Sequence, residues 1–243
     1  LLLGAFFFSF QIYGDFSGYS DIAIGTARLM GFELMKNFSF PYFSRDIAEF
    51  WRRWHISLST WFRDYLYVPL GGNQGTTGRK IRNIMLVFVV SGFWHGASWN
   101  FILWGFFNAL LFLPLLVTGK NRIHLDISDS GRIFPGPANL ARMIITFTCV
   151  MLLWILFRAR TATEAFDIFS RIFSASLFKA GTAGPPSTVS ITILMTLFFI
   201  MVEWSGREHS YAIERTFCDS PRITRWAFYS FIVFLTGMFM HQG

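Results

Sequence analysis

The chain has 243 residues, 53% of them hydrophobic and only 14% charged, with a mean hydropathy of +0.45. Soluble domains carry about 25% charged residues, and a chain of this size has no way to hide so much apolar surface from water, whereas a bilayer removes the need to hide it. The excess of 21 Lys+Arg over 14 Asp+Glu, a net charge of +7, therefore reads as basic loops facing anionic lipid rather than as a nucleic-acid surface.

The chain opens at Leu1 inside an apolar run, with no basic leader and no small-residue cleavage site, so no signal peptide is expected. The run to Tyr13 resembles the tail of a span, and a preceding N-terminal portion is expected to be missing. Gly14 to Phe32 is rich in small residues that let helices approach closely in lipid, and it carries Asp15 and Asp21. Met35 to Ser44, with Pro41, reads as a loop.

Asp46 to Tyr65 is expected to form one amphipathic helix. Ile47, Phe50, Trp51, Trp54, Leu58, Trp61, Phe62 and Tyr65 fall at helical spacing, and Glu49, Arg52, Arg53, Thr60 and Arg63 take the other face. Asp46 and Glu49 suit a capping pair at its start. Such a helix lies in an interface or lines a polar cavity.

Pro69 to Arg82 is a Gly-rich turn with a basic end: Arg79, Lys80 and Arg82. Asn83 to Val117 is uncharged over 35 residues. As one helix it would run about 52 Å, against a hydrocarbon core of about 30 Å. Gly92, Gly96 and Ser98 mark a break, predicting two pieces around residue 96. A broken helix at membrane depth needs protein or water to cover it.

Lys120 to Pro137 reads as a polar loop, and Leu140 to Phe157 as a span. Thr163 to Phe178 reads as a short amphipathic helix, and Ser187–Trp204 and Ile223–Met240 as further spans. Basic residues flank nearly every span on both sides, so they do not fix its orientation. Cys149 and Cys218 are isolated, giving neither a disulfide framework nor a metal spacing.

Of the five histidines, His124, His209 and His241 lie in polar segments or near the end and are expected to be exposed without a role. His95 differs: it sits inside the apolar stretch, in SGFWHGASWNFILWG, where ionisable groups are costly and tend to be functional. Gly92 and Gly96 beside it remove bulk that would block a substrate. Burial favours the neutral imidazole, the form a general base needs. The alternative is a buried ring bridging two helices. His55 lies one turn after Trp51 and beside Trp54, either in the same chemistry or as an interfacial residue bonded to a backbone carbonyl.

No G-x-S-x-G elbow and no H-E-x-x-H or paired-Cys pattern is present, so neither a serine hydrolase nor a metal site is expected. GGNQGTTGRK lacks the phosphate-loop spacing. Asp15 and Asp21 are either packing partners or, with His95, the proton path of a transporter without bond chemistry.

The segments YGDFSGYSDIAIGTARLMGF, PYFSRDIAEFWRRWHISLSTWFRDYLYVPLGGN and SGFWHGASWNFILWGFFNAL closely resemble the membrane-bound O-acyltransferase family, in the branch that includes alginate O-acetyltransferase. The similarity is clearest over Tyr13 to Leu113. It implies an all-α polytopic membrane fold with helices ringing a central tunnel, and a single membrane-embedded domain over 1–243 that is the C-terminal part of a longer family domain. It implies a catalytic role for His95 and places His55 at the upstream motif's polar position. The implied reaction moves an acetyl or other acyl group from a thioester, acetyl-CoA or a carrier, to a hydroxyl, with no resident cofactor. In the polysaccharide branch an extracytoplasmic partner transferase completes delivery, and the setting is the bacterial inner membrane. D-alanyl transfer to teichoic acid is the alternative within the family. Trp54, Trp94 and Trp99 are then candidate tunnel walls that exclude water. Asn100 and Asn108 are candidates to orient a ring nitrogen or to bond helix to helix. Arg52, Arg53, Arg79, Lys80 and Arg82 are candidates to attract an anionic donor, or lipid-facing charges.

Overall fold

The computed structural model describes residues 1–174, 186–214 and 220–239. Nine α-helices and no strand occur among the described residues: α1 Leu2–Leu29, α2 Ile47–Arg53, α3 Ile56–Phe62, α4 Thr77–His95, α5 Trp99–Val117, α6 Pro137–Arg158, α7 Ala162–Ile172, α8 Pro186–Gly206 and α9 Arg222–Phe239. Two compact units divide them, Leu1–Ser190 and Ile191–Gly243. Trp99–Val117, Pro137–Arg158 and Thr188–Gly206 are long and apolar enough to cross a membrane. α9 is not among these, its start carrying Arg222 and Arg225.

In the first unit α1 is one continuous helix of 28 residues, about 42 Å long, which takes in the apolar run to Tyr13 and most of the small-residue stretch that follows it. The chain then returns along it, irregular but for a 3-10 turn at Pro41–Phe43. Tyr42 donates a hydrogen bond to the Ser9 carbonyl, fastening the return to α1.

The single amphipathic helix expected over Asp46 to Tyr65 is in fact three pieces. α2 opens on Asp46, whose carboxylate accepts from the Glu49 amide at 2.7 Å, as the capping pair predicted. It stops at Arg53. His55 then takes a left-handed backbone, φ 44°, before α3 begins, and Arg63–Tyr67 forms a wider π-helical turn. The cause lies upstream. The Asn37 carbonyl accepts from the Ile56 amide (3.0 Å), its side chain accepts from the Ser57 amide and hydroxyl (3.2 and 2.6 Å), and Ser39 N–H donates to Arg53 (3.0 Å). The segment around residue 38 thus satisfies the groups the break frees. The break rotates the apolar stripe, so that Phe50, Trp54 and Phe62 are buried while Trp61 and Tyr65 are exposed.

α4 and α5 form the broken helix predicted at residue 96, and fold back on each other as an antiparallel hairpin. The basic end of the Gly-rich turn is already helical, because Thr76 caps α4 ahead of Arg79. The hairpin halves touch backbone to backbone. A Cβ at Gly92 would lie 2.2 Å from the Phe101 carbonyl oxygen, and one at Gly105 would lie 2.2 Å from that of Phe88. α6 packs against α5 and α1, and its last turn is tied to α5 by Asn100, which donates to the carbonyls of Leu156 (3.3 Å) and Ala159 (2.8 Å). α7 is the short amphipathic helix expected from Thr163; it ends at Ile172, with Phe173 as its C-cap, short of the predicted end, and residues 175–178 of that prediction lie outside the described residues.

In the second unit, Arg207 stacks over Trp204, 3.9 Å from the ring centroid, and donates to its carbonyl at 2.7 Å. His209 follows, half-buried. Cys218 and His241 lie outside the described residues.

Candidate active site

His95 is the last residue of α4. The helix ends there because Gly96, with the Phe101 ring where a Cβ would go, lets the chain turn into α5. The imidazole is half-buried, with ring centroids of Trp94, Phe157 and Trp104 at 4.9, 5.0 and 5.3 Å, all nearly edge to face. Trp104 and Trp154 are each 2% exposed and stack at 5.8 Å, so the wall beneath His95 is fixed.

His55 reaches the same place from the break between α2 and α3. Its ring meets Phe16 at 4.6 Å and Trp94 at 6.2 Å. Both imidazoles line one cavity of about 500 Å³. Along α4 its lining is the stripe Ile84, Val87, Phe88, Ser91, His95, which is one helix face over 12 residues, roughly 16 Å from first to last. His95 marks one end of that stripe. Towards the other end the lining turns polar, with Arg63, Tyr67, Asn73, Asn121 and Arg122.

The other predicted residues divide. Trp54 lines the cavity and is buried against Phe38, Phe50 and Trp154. Trp94 touches both imidazoles but is 58% exposed and outside the lining, and Trp99 is 72% exposed at the start of α5. Asn100 does not line this cavity, and its amide holds α6; that of Asn108 donates to the Trp104 carbonyl at 2.8 Å. Arg52 lines the cavity but donates to the carbonyls of Asn121 and His124, and Arg53 donates to Glu49 and to the Asp126 carbonyl. Arg79, Lys80 and Arg82 lie outside the lining, Lys80 15 residues from His95, about 22 Å along the helix. His124 is not simply exposed: its ring lies 3.9 Å from the Asp46 carboxylate.

Asp15 and Asp21 are exposed on α1 and do not line the cavity, although Ile12 and Phe16 of that helix do. The acid–histidine path of the transporter reading is therefore not assembled in this cavity. Sequence reasoning missed Trp104, Phe157 and Arg122. Trp104 meets His95 only once the hairpin closes, Phe157 only once α6 packs on α5, and Arg122, in a polar loop, carries no local signal at all. Among the described residues no group of three His, Cys, Asp or Glu side chains is placed to hold a metal ion.

A helical membrane protein with two imidazoles in an apolar-walled cavity is the class these features define. Residues 2–157 match the model of MBOAT, the membrane-bound O-acyltransferase family, and the chain belongs to that family. It is 39% identical over 213 residues to "Probable alginate O-acetylase AlgI" of Azotobacter vinelandii, covering 86% of this chain and 40% of the relative. It is 42% identical to the "Peptidoglycan O-acetyltransferase" of Helicobacter pylori over 66% of this chain and 29% of the relative. A "Teichoic acid D-alanyltransferase" of Streptococcus thermophilus is 36% identical over 62% of this chain and 39% of the relative. The chain thus spans about two fifths or less of the length of these relatives.

Proposed function

We propose that this chain carries the catalytic part of a membrane O-acyltransferase of the bacterial inner membrane, which passes an acetyl group from a thioester towards an extracytoplasmic polysaccharide hydroxyl. The observation that carries the reading is His95, half-buried among three aromatic rings at one end of a cavity whose far end is polar and basic.

In this reading a ring nitrogen of His95 takes the proton from the acceptor hydroxyl as that oxygen attacks the acyl carbonyl. The carbon–sulfur bond breaks, and the departing thiolate takes the proton back, which returns the imidazole to its neutral form. The aromatic surroundings favour that neutral form and keep water from the thioester. His55, facing the same cavity, holds the acceptor or polarises the carbonyl. Arg122 and Arg63 suit the phosphate of acetyl-CoA or of a carrier's phosphopantetheine. A partner transferase outside the membrane would then place the acetyl group on the polymer.

The similarity to a D-alanyltransferase supports a second reading, D-alanyl transfer to teichoic acid by the same chemistry. Replacing His95 by alanine in the full-length protein is expected to lower acyl transfer by about 10²–10⁴-fold at normal membrane abundance. An alanine protein that kept full polymer acetylation would refute the assignment.

A further inference from the structure

Three arginines converge on one stretch of the α5–α6 loop, and that stretch is a wall of the cavity. Arg52 donates to the carbonyls of Asn121 (2.8 Å) and His124 (2.7 Å). The Arg45 guanidinium meets the Asp126 carboxylate at 2.9 and 3.2 Å and its carbonyl at 3.0 Å, and Arg53 reaches the same carbonyl at 3.1 Å. Behind them Glu49, 1% exposed, accepts from Arg45 at 3.0 Å and from Arg53 at 2.6 Å, so both guanidinia are held before they reach the loop. Asn121 itself, and Arg122 and Leu125 between the pinned points, line the cavity. The loop has no helix or strand of its own from residue 118 to 136, so these fastenings supply order that secondary structure does not.

We propose that Asp126 is a positioning residue that fastens this loop against α2, keeps Arg122 and Leu125 in the cavity wall, and so governs binding of the anionic thioester donor rather than the transfer step. The proposal rests on the functional reading above. Asp126 is the part of the fastening that can be changed without opening the core: its side chain is 68% exposed while that of Arg45 is 5% exposed, and Arg45 keeps its Glu49 pair when Asp126 is altered. The two imidazoles are held by other elements, the α4–α5 hairpin and the break after α2. Loss of the fastening therefore leaves them in place.

The test compares wild type, Asp126→Asn and Asp126→Glu in the full-length protein in liposomes, with acetyl-CoA as donor and amide hydrogen exchange over residues 120–127. Asp126→Asn is expected to speed exchange in the loop and raise the KM for acetyl-CoA about two- to fivefold, the range of an exposed ion pair, with kcat unchanged. Asp126→Glu should recover most of both. Unchanged loop exchange would overturn the proposal, as would faster exchange with an unchanged KM, or a fall in kcat at constant KM. A wild-type protein that transfers no acetyl from acetyl-CoA would count against the functional reading and take the donor half of this proposal with it, while the exchange comparison would still decide whether Asp126 fastens the loop.

Discussion

His55 and His95 sit on the same indole: their ring centroids lie 6.2 and 4.9 Å from that of Trp94. They arrive there by different routes, one on a left-handed residue between two short helices and the other at the end of a long one. The pair is thus held by two independent pieces of backbone, and each can be tested separately.

At His55 the backbone and the side chain make separable demands. A left-handed conformation costs an ordinary residue about 1–2 kcal/mol, which glycine and asparagine largely avoid. His55→Gly and His55→Asn should therefore keep the parent's thermal stability in detergent, whereas His55→Val should lower it. If the imidazole serves the reaction, all three should lose acyl transfer, the two well-folded ones included. Full activity in His55→Asn would remove His55 from the chemistry.

The hairpin contact predicts an asymmetry among glycines. Gly92→Ala and Gly105→Ala each press a methyl into a carbonyl oxygen and should cost about 1–3 kcal/mol, read as a lower Tm or loss of folded protein. Gly78→Ala, in the first turn of α4 with no atom nearer than 4.0 Å, should be neutral or slightly stabilising. Equal effects at all three positions would contradict the close approach.

The fastening of the α5–α6 loop has a pH signature. Hydrogen bonds from Arg45, with its charge, hold the Asp126 carboxyl below the usual carboxylate range. A carboxyl lowered in the folded state contributes stability that is present above the ordinary aspartate value, about 3.9, and is lost as pH falls through the lowered value. Protection of residues 120–127, corrected for the intrinsic pH dependence of exchange, should thus be flat from about pH 5 to 8 and fall only below about pH 4. A drop between pH 6 and 5 would show that a group other than Asp126 governs the fastening.

Much of this architecture was legible in the sequence, for reasons that also mark where legibility ended. Thirty-five uncharged residues cannot cross a bilayer once as a straight helix, so length called for a break, and Gly92, Gly96 and Ser98 placed it near residue 96. The break at His55 had no such signal. No glycine or proline marks it, and its cause is Asn37, some 20 residues upstream, bonding groups that the break exposes. The polar face of Arg52 and Arg53 was visible in the periodicity, but its partner was not. A loop about 70 residues later covers it, and periodicity carries no information about what lies opposite a face. Asn100 was open to two readings from sequence, and two carbonyls at the end of α6 chose the interhelical one.

Where Gly92 meets the Phe101 carbonyl and Gly105 meets that of Phe88, two main chains lie together with no side chain as a cushion. Such a seam has no slack to give. The imidazole of His95 rides on the unyielding half of the cavity, so any accommodation of a larger guest falls on the opposite bank, the kinked α2–α3 segment and the pinned loop.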